Sequence, residues 1–166
     1  MVEGVDWAWV MLAVQAGATC WMVGLVWFVQ RVHYPMIAAL AGEAAGVEGE
    51  GGGAEFCAAE REHMRRTGPV TGPIMLVELG SAVGVMVWVP EGVGLAWWLC
   101  AWVGMGLLAV VWGSTVLLQI PLHQRLCEAA DVGAARRLVG TNWVRTVAWS
   151  GRGVLVLGML VLAGGG

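Results

Sequence analysis

The chain has 166 residues, 58% of them apolar and 13% charged, with a mean hydropathy of +0.73 and a formal charge of −3. Soluble domains run to roughly 45–50% apolar and 25% charged residues, so a water-soluble fold of this length would leave much apolar surface exposed. All nine basic residues are arginines, and the acidic balance excludes the electrostatic footprint of a nucleic-acid partner.

Charged residues crowd into a few short segments, leaving four apolar runs near or above the roughly 20 residues a helix needs to cross a bilayer core of about 30 Å. The first runs over residues 7–29. The stretch before it, MVEGVD, is acidic, and the apolar run is too long for a cleavable signal, so it reads as a retained helix. His33-Tyr34-Pro35 then leads into a short helical stretch, MIAALAGEAA. The acidic, glycine-rich run GVEGEGGGAE predicts a disordered bulge. Residues 55–66, EFCAAEREHMRR, read as a helix feeding the second span. That span starts at Pro69 or Pro73, either of which fits a first helical turn, and runs to Pro90 (residues 69–90), with Glu78 its one acid. The third, residues 95–120, is uncharged and is expected to stop at Pro121, whose ring would disrupt a continuing helix. Asp131 is a cap for a helix over VGAARRLVG, and Thr141-Asn142 a cap for the fourth span, residues 143–163, which encloses Arg145 and Arg152. The expectation is one all-α transmembrane four-helix bundle over residues 1–166, with short cytoplasmic helices in loops 1 and 3.

Arginine placement predicts the orientation, because short loops rich in basic residues stay cytoplasmic. Loop 1 holds Arg31, Arg61, Arg65 and Arg66, loop 3 holds Arg125, Arg136 and Arg137, and neither tail nor the Glu91 turn holds any. Both termini are therefore expected outside a bacterial inner membrane. Trp7, Trp9, Trp88, Trp97 and Trp98 fall at the outer interface, and Trp27, Tyr34 and Trp143 at the inner one. The four cysteines form no CxxC pair and read as packing residues or idle thiols. Gly80 and Gly84 form a GxxxG step, which marks a close helix contact within one chain or between subunits of a homo-oligomer.

Glu78 and Arg152 each lie 12 positions from an outer boundary, Pro90 and Gly164, which places both about 18 Å deep at 1.5 Å per residue. A lone charge there costs on the order of 2.5–3.5 kcal/mol on insertion scales, a cost that pairing offsets. A buried structural ion pair and a functional site both explain them. Arg145, Trp149 and Arg152 share one face of the fourth span. His33, His63 and His123 fall at three helix ends on the inner side, where each alone reads as an interfacial residue. Together, with Glu78 or Glu60 as a carboxylate, they suit a transition metal such as zinc or non-haem iron, and two of them would suit a haem.

A set of these residues resembles a group of small bacterial four-span inner-membrane proteins with no assigned activity. The matching elements are His33-Tyr34-Pro35, His63 with Arg66, Pro73 with Met75-Leu76 and Glu78, Ser114-Thr115, Pro121 with His123, and Thr141-Asn142-Trp143 followed by Arg145, Trp149 and Arg152. The resemblance implies the same fold and the same polar set. The resulting expectation is a pocket with Glu78 and Arg152 as its floor and His33, His63, His123, Asn142 and Arg145 around its mouth. In it Glu78, Arg145 and Arg152 are candidate catalytic groups, the three histidines candidate metal ligands, and Asn142 a further cofactor contact. Such a pocket suits metal or haem redox chemistry on a lipid-soluble substrate. The alternatives are a transporter or binding subunit for an anionic solute or headgroup, and a structural subunit of a membrane complex.

Overall fold

The computed structural model describes residues 5–46 and 50–164, and the described residues build an all-helical bundle of four rods. The first rod comprises α1 (Trp7–Phe28), a π-helical segment (Val29–His33) and α2 (Tyr34–Gly46). The second is α3 (Glu50–Val87). The third is α4 (Leu95–Ser114), a second π segment (Thr115–Gln119) and α5 (Ile120–Glu128), and the fourth is α6 (Val132–Gly164). All four are long and apolar enough to cross a membrane. The first, at 40 residues, reaches about 60 Å, twice the roughly 30 Å of a hydrocarbon core, so one end of the bundle must project beyond it.

The rods run through Pro69, Pro73 and Pro121, which were expected to start or stop them, whereas Pro90 lies beyond the end of α3 as expected. Pro121 does not end the third rod. An α-helical Pro121 would drive its ring into the carbonyl four residues earlier, and the π segment relieves this by shifting the register, with the Ile120 N–H donating to the Thr115 carbonyl. The first rod repeats the device before Pro35, where the Tyr34 N–H donates to the Val29 carbonyl. Pro69 and Pro73 lie inside α3 rather than at its start. Each follows a glycine, Gly68 or Gly72, and a residue without Cβ escapes the clash that normally drives the position before proline out of the helical region.

Two further boundaries differ from expectation. The glycine-rich run was expected to be a disordered bulge, yet α3 already begins at Glu50, while residues 47–49 lie outside the described residues. Glycine propensity is overridden there because Phe56 and Cys57 bury against Leu126, Ala134 and Leu138. Thr141-Asn142 is not a cap, since α6 starts at Val132 and Asn142 is fully buried inside it. The cap is Asp131, whose carboxylate accepts from the Ala134 N–H at 2.9 Å.

The core is layered along the bundle axis. Trp97, Leu12, Val85 and Met159 fill the end where the first rod begins. Met22, Met75, Leu108 and Trp149 fill the middle, and Tyr34, Phe56, Leu126 and Leu138 the far end. Outside, Trp21, Phe28, Leu99, Trp102, Val147 and Val154 are exposed, an apolar jacket that fits a lipid environment and no aqueous one. Packing around the ring is uneven: α1 lies along α3 and α6, and α4 along α6, whereas α3 meets α4 only lightly. The seam between α3 and the third rod is the weak side of the bundle. Of the GxxxG pair only Gly84 faces a neighbour, the Met11 side chain of α1, while Gly80 is open.

Candidate metal centre and cavity

Polar groups are buried at three levels. Nearest the Trp97 layer, Glu78 and Arg152 are 0% and 1% exposed. Nε of Arg152 donates to Glu78 Oε1 at 2.8 Å, Nη2 donates to the same oxygen, and the Thr19 hydroxyl donates to it at 2.8 Å. Nη1 donates to the Gly104 carbonyl, so the guanidinium is held by two partners on two neighbouring rods. The expected pairing of two charges at one depth is present. Its contacts all fall on Oε1, leaving Glu78 Oε2 buried without a partner among the described residues, and neither residue lines the larger cavity described below.

The second level is a neutral network. Asn142 Nδ2 donates to Gln30 Oε1 at 2.9 Å, Gln30 Nε2 to the Val139 carbonyl at 3.2 Å, and the Thr146 hydroxyl to the Asn142 carbonyl at 3.1 Å. Asn142 thus ties α6 to the first rod rather than turning toward the histidines. Arg145 Nη1 donates to Asn142 Oδ1 at 3.3 Å, which fixes the arginine from behind.

The third level holds the histidines. His33 is the last residue of the first π segment, His63 projects from α3 five residues before the first Gly-Pro pair, and His123 follows Pro121 by two residues on α5. His33 Nε2 and His63 Nε2 are 3.3 Å apart, and the His63 and His123 rings have centroids 5.5 Å apart. Two imidazole nitrogens bound to one tetrahedral ion at about 2.05 Å would stand about 3.3 Å apart. His123 is buried, with Nδ1 against the Glu60 carboxylate and Nε2 3.1 Å from the Tyr34 hydroxyl. The Thr67 hydroxyl lies 3.2 Å from His63 Nδ1. Ligand atoms of Glu60, His63 and His123 all fall within 4.8 Å of one another.

This arrangement divides the donor set. Glu60 holds Nδ1 of His123 and the Thr67 hydroxyl lies against the His63 ring, the arrangement by which outer groups fix the tautomer of metal-binding imidazoles, while Nε2 of His123 meets the Tyr34 hydroxyl, which an ion bound there would displace. A haem fits less well. Axial imidazoles approach iron from opposite faces of the porphyrin, whereas the His33 and His63 rings lie side by side with centroids 4.4 Å apart.

Beside the histidines opens a cavity of about 310 Å³. His33, Tyr34, His63, His123, Gln119 and Arg145 form its polar end, and Met22, Val26, Met75, Trp112 and Val116 its apolar body. It follows the weak seam between α3 and the third rod, whose walls on the α3 side include Gly68 and Gly72. Four of the expected site residues, His33, His63, His123 and Arg145, therefore share one cavity. Glu78 and Arg152 lie beyond Met75, and Asn142 stands behind Arg145. Sequence reasoning placed Tyr34 only as an interfacial aromatic and missed Thr67 and Trp112. The signals available were the adjacency of Tyr34 to His33 and the helical i, i+4 spacing of His63 and Thr67. No known protein family, curated protein or solved structure matches this chain.

Proposed function

We propose that the chain is a multi-pass protein of a bacterial inner membrane, with both termini outside, that holds a transition metal on His33, His63 and His123 for redox chemistry on a lipid-soluble molecule. The observation that carries this reading is the convergence of three imidazoles from three rods, two of them engaged at Nδ1, at the polar end of an apolar cavity. Three unrelated positions in the chain supply the ligands, and Glu60 and Thr67 orient two of them. An imidazole-rich set suits iron, copper or zinc, and a redox-active ion among these supplies electron exchange. The chain's own part is to hold the ion beside the cavity, to keep a reacting molecule out of water, and to orient its head with Arg145 and Tyr34.

Elemental analysis and an absorption spectrum of gently extracted protein test the proposal. The expected result is near-stoichiometric metal, with occupancy falling sharply in His33→Ala, His63→Ala and His123→Ala. Protein that emerges metal-free and takes up no added iron, copper or zinc overturns it.

A further inference from the structure

Three residues that line the cavity each carry a buried polar atom with no partner among the described residues, Arg145 Nε, Trp112 Nε1 and Gln119 Oε1, within a side-chain adjustment of the space. An unsatisfied buried group is costly, and more so when charged, so three on the residues lining a single space large enough for a molecule form a pattern that a ligand would resolve. Two of the three are donors, and one of those is a cation. No carboxylate among the described residues lies within ion-pair distance of Arg145, because Glu60, Glu62 and Glu78 are engaged with His123, with Arg65 and Arg66, and with Arg152. The one acceptor, Gln119 Oε1, is left free while its Nε2 donates to Thr141 at 3.0 Å.

Depth sets the orientation of an occupant. Arg145 is 19 residues from Gly164, about 28 Å along α6, which puts its backbone close to the limit of a roughly 30 Å hydrocarbon core. Met22, Val26 and Met75 line the cavity on the core side of that level, and the α3 seam faces lipid. A molecule arriving sideways from the bilayer would bring its polar head to Arg145 and leave its apolar body among the methionines. At about 310 Å³ the space is at the small end of ligand sites and accepts a ring system rather than a full phospholipid headgroup with its chains.

From this we infer that the cavity binds a compact apolar molecule with an oxyanion head and a neighbouring hydroxyl, of which a hydroxyaryl carboxylate is the simplest example. The oxyanion accepts from Arg145 and from the Trp112 indole, and the hydroxyl donates to Gln119. The inference rests on the proposed function for what happens to the bound molecule, but its contacts are independent of the metal.

The test compares two probes, a hydroxynaphthoate and the neutral naphthol that lacks the carboxylate, binding to the purified full chain in one detergent. A hydrogen bond to a charged group contributes about 1.5–3 kcal/mol, so the naphthoate should bind at least about tenfold more tightly than the naphthol. Arg145→Gln should erase that preference, and Trp112→Phe should weaken the naphthoate several-fold while leaving the naphthol unchanged. If Arg145→Gln does not survive extraction, Trp112→Phe decides. Equal binding of the two probes by the unaltered protein, or a preference that survives in both variants, overturns the inference. Metal content of the same unaltered protein separates the two proposals. Preference for the naphthoate in unaltered protein that takes up no iron, copper or zinc sinks the metal centre alone, and metal without preference sinks the ligand assignment alone.

Discussion

Replacing Glu78 by Gln tests the energetics of the bundle where the sequence makes its strongest demand. In the native chain one carboxylate oxygen receives Nε and Nη2 of Arg152 and the Thr19 hydroxyl, with both charged residues essentially inaccessible. Glutamine keeps an acceptor of the same shape but removes the negative charge, leaving a buried guanidinium whose remaining fixed acceptor is the Gly104 carbonyl. Removing one partner of a buried pair typically costs about 3–5 kcal/mol, and a lone arginine mid-membrane costs about 2.5–3.5 kcal/mol on insertion scales, so a loss of about 3 kcal/mol is expected. Arg152→Met alone should also destabilise, because it strands the carboxylate. Combining the two removes both charges, and the double variant should be more stable than the sum of the single losses by about 1–3 kcal/mol. Thermal or denaturant unfolding of detergent-solubilised protein reads all four states of the cycle. Losses that simply add, within about 0.5 kcal/mol, would refute direct coupling and with it the assignment of this pair to the structural core.

Four further outcomes follow from other parts of the fold. Glu60→Ala frees His123 Nδ1, so metal affinity titrated by competition with a chelator should fall about 10–100-fold. Unchanged affinity would show that Glu60 does not orient the ring. Gly84→Leu should destabilise by about 1–3 kcal/mol in thermal melts, because a Cβ there already meets Met11 Sδ at 2.6 Å, whereas Gly80→Leu should be tolerated. Gly72→Ala should destabilise α3 although nothing lies within 4 Å of the added methyl, since the cost arises from its position before Pro73; a neutral melt would count against that account. A reporter active only in cytoplasm should work when inserted at Ala130, in the connection between α5 and α6, and be silent after Gly166. Activity at Gly166 would reverse the proposed orientation.

Four rods, their apolar character and the burial of Glu78 and Arg152 were legible in the sequence because each follows from a long-range average or a strong energetic penalty. Twenty apolar residues in a row need no context, and two charges at one depth in two spans have few alternatives to meeting. The helix ends were misread for a local reason. Pro69, Pro73 and Pro121 each look like boundaries under a rule that holds for a regular α-helix, and here a π segment and two preceding glycines remove the clash the rule assumes. The Gly-Pro pairs were visible as TGPVTGP. The π segments had no such mark.

The candidate site was half legible for a different reason. Periodicity says which residues share a face of one helix, and topology says which end of the bundle they reach, so the three histidines could be gathered at one end without knowing any distance. Neither says which rods touch. Asn142 and Arg145 are three residues apart on α6 and were expected at the same mouth, yet one bonds Gln30 on the first rod and the other lines the cavity. The pocket itself arises because α3 and α4 separate where the other rods close. Only that separation leaves Trp112 Nε1, Arg145 Nε and Gln119 Oε1 without partners in one space. A run of apolar residues on α4 predicts that Trp112 faces lipid or core, and both readings omit the indole N–H. An unmet donor becomes visible only once every neighbour has been placed, which is why the ligand chemistry of the cavity belongs to the structure and not to the sequence.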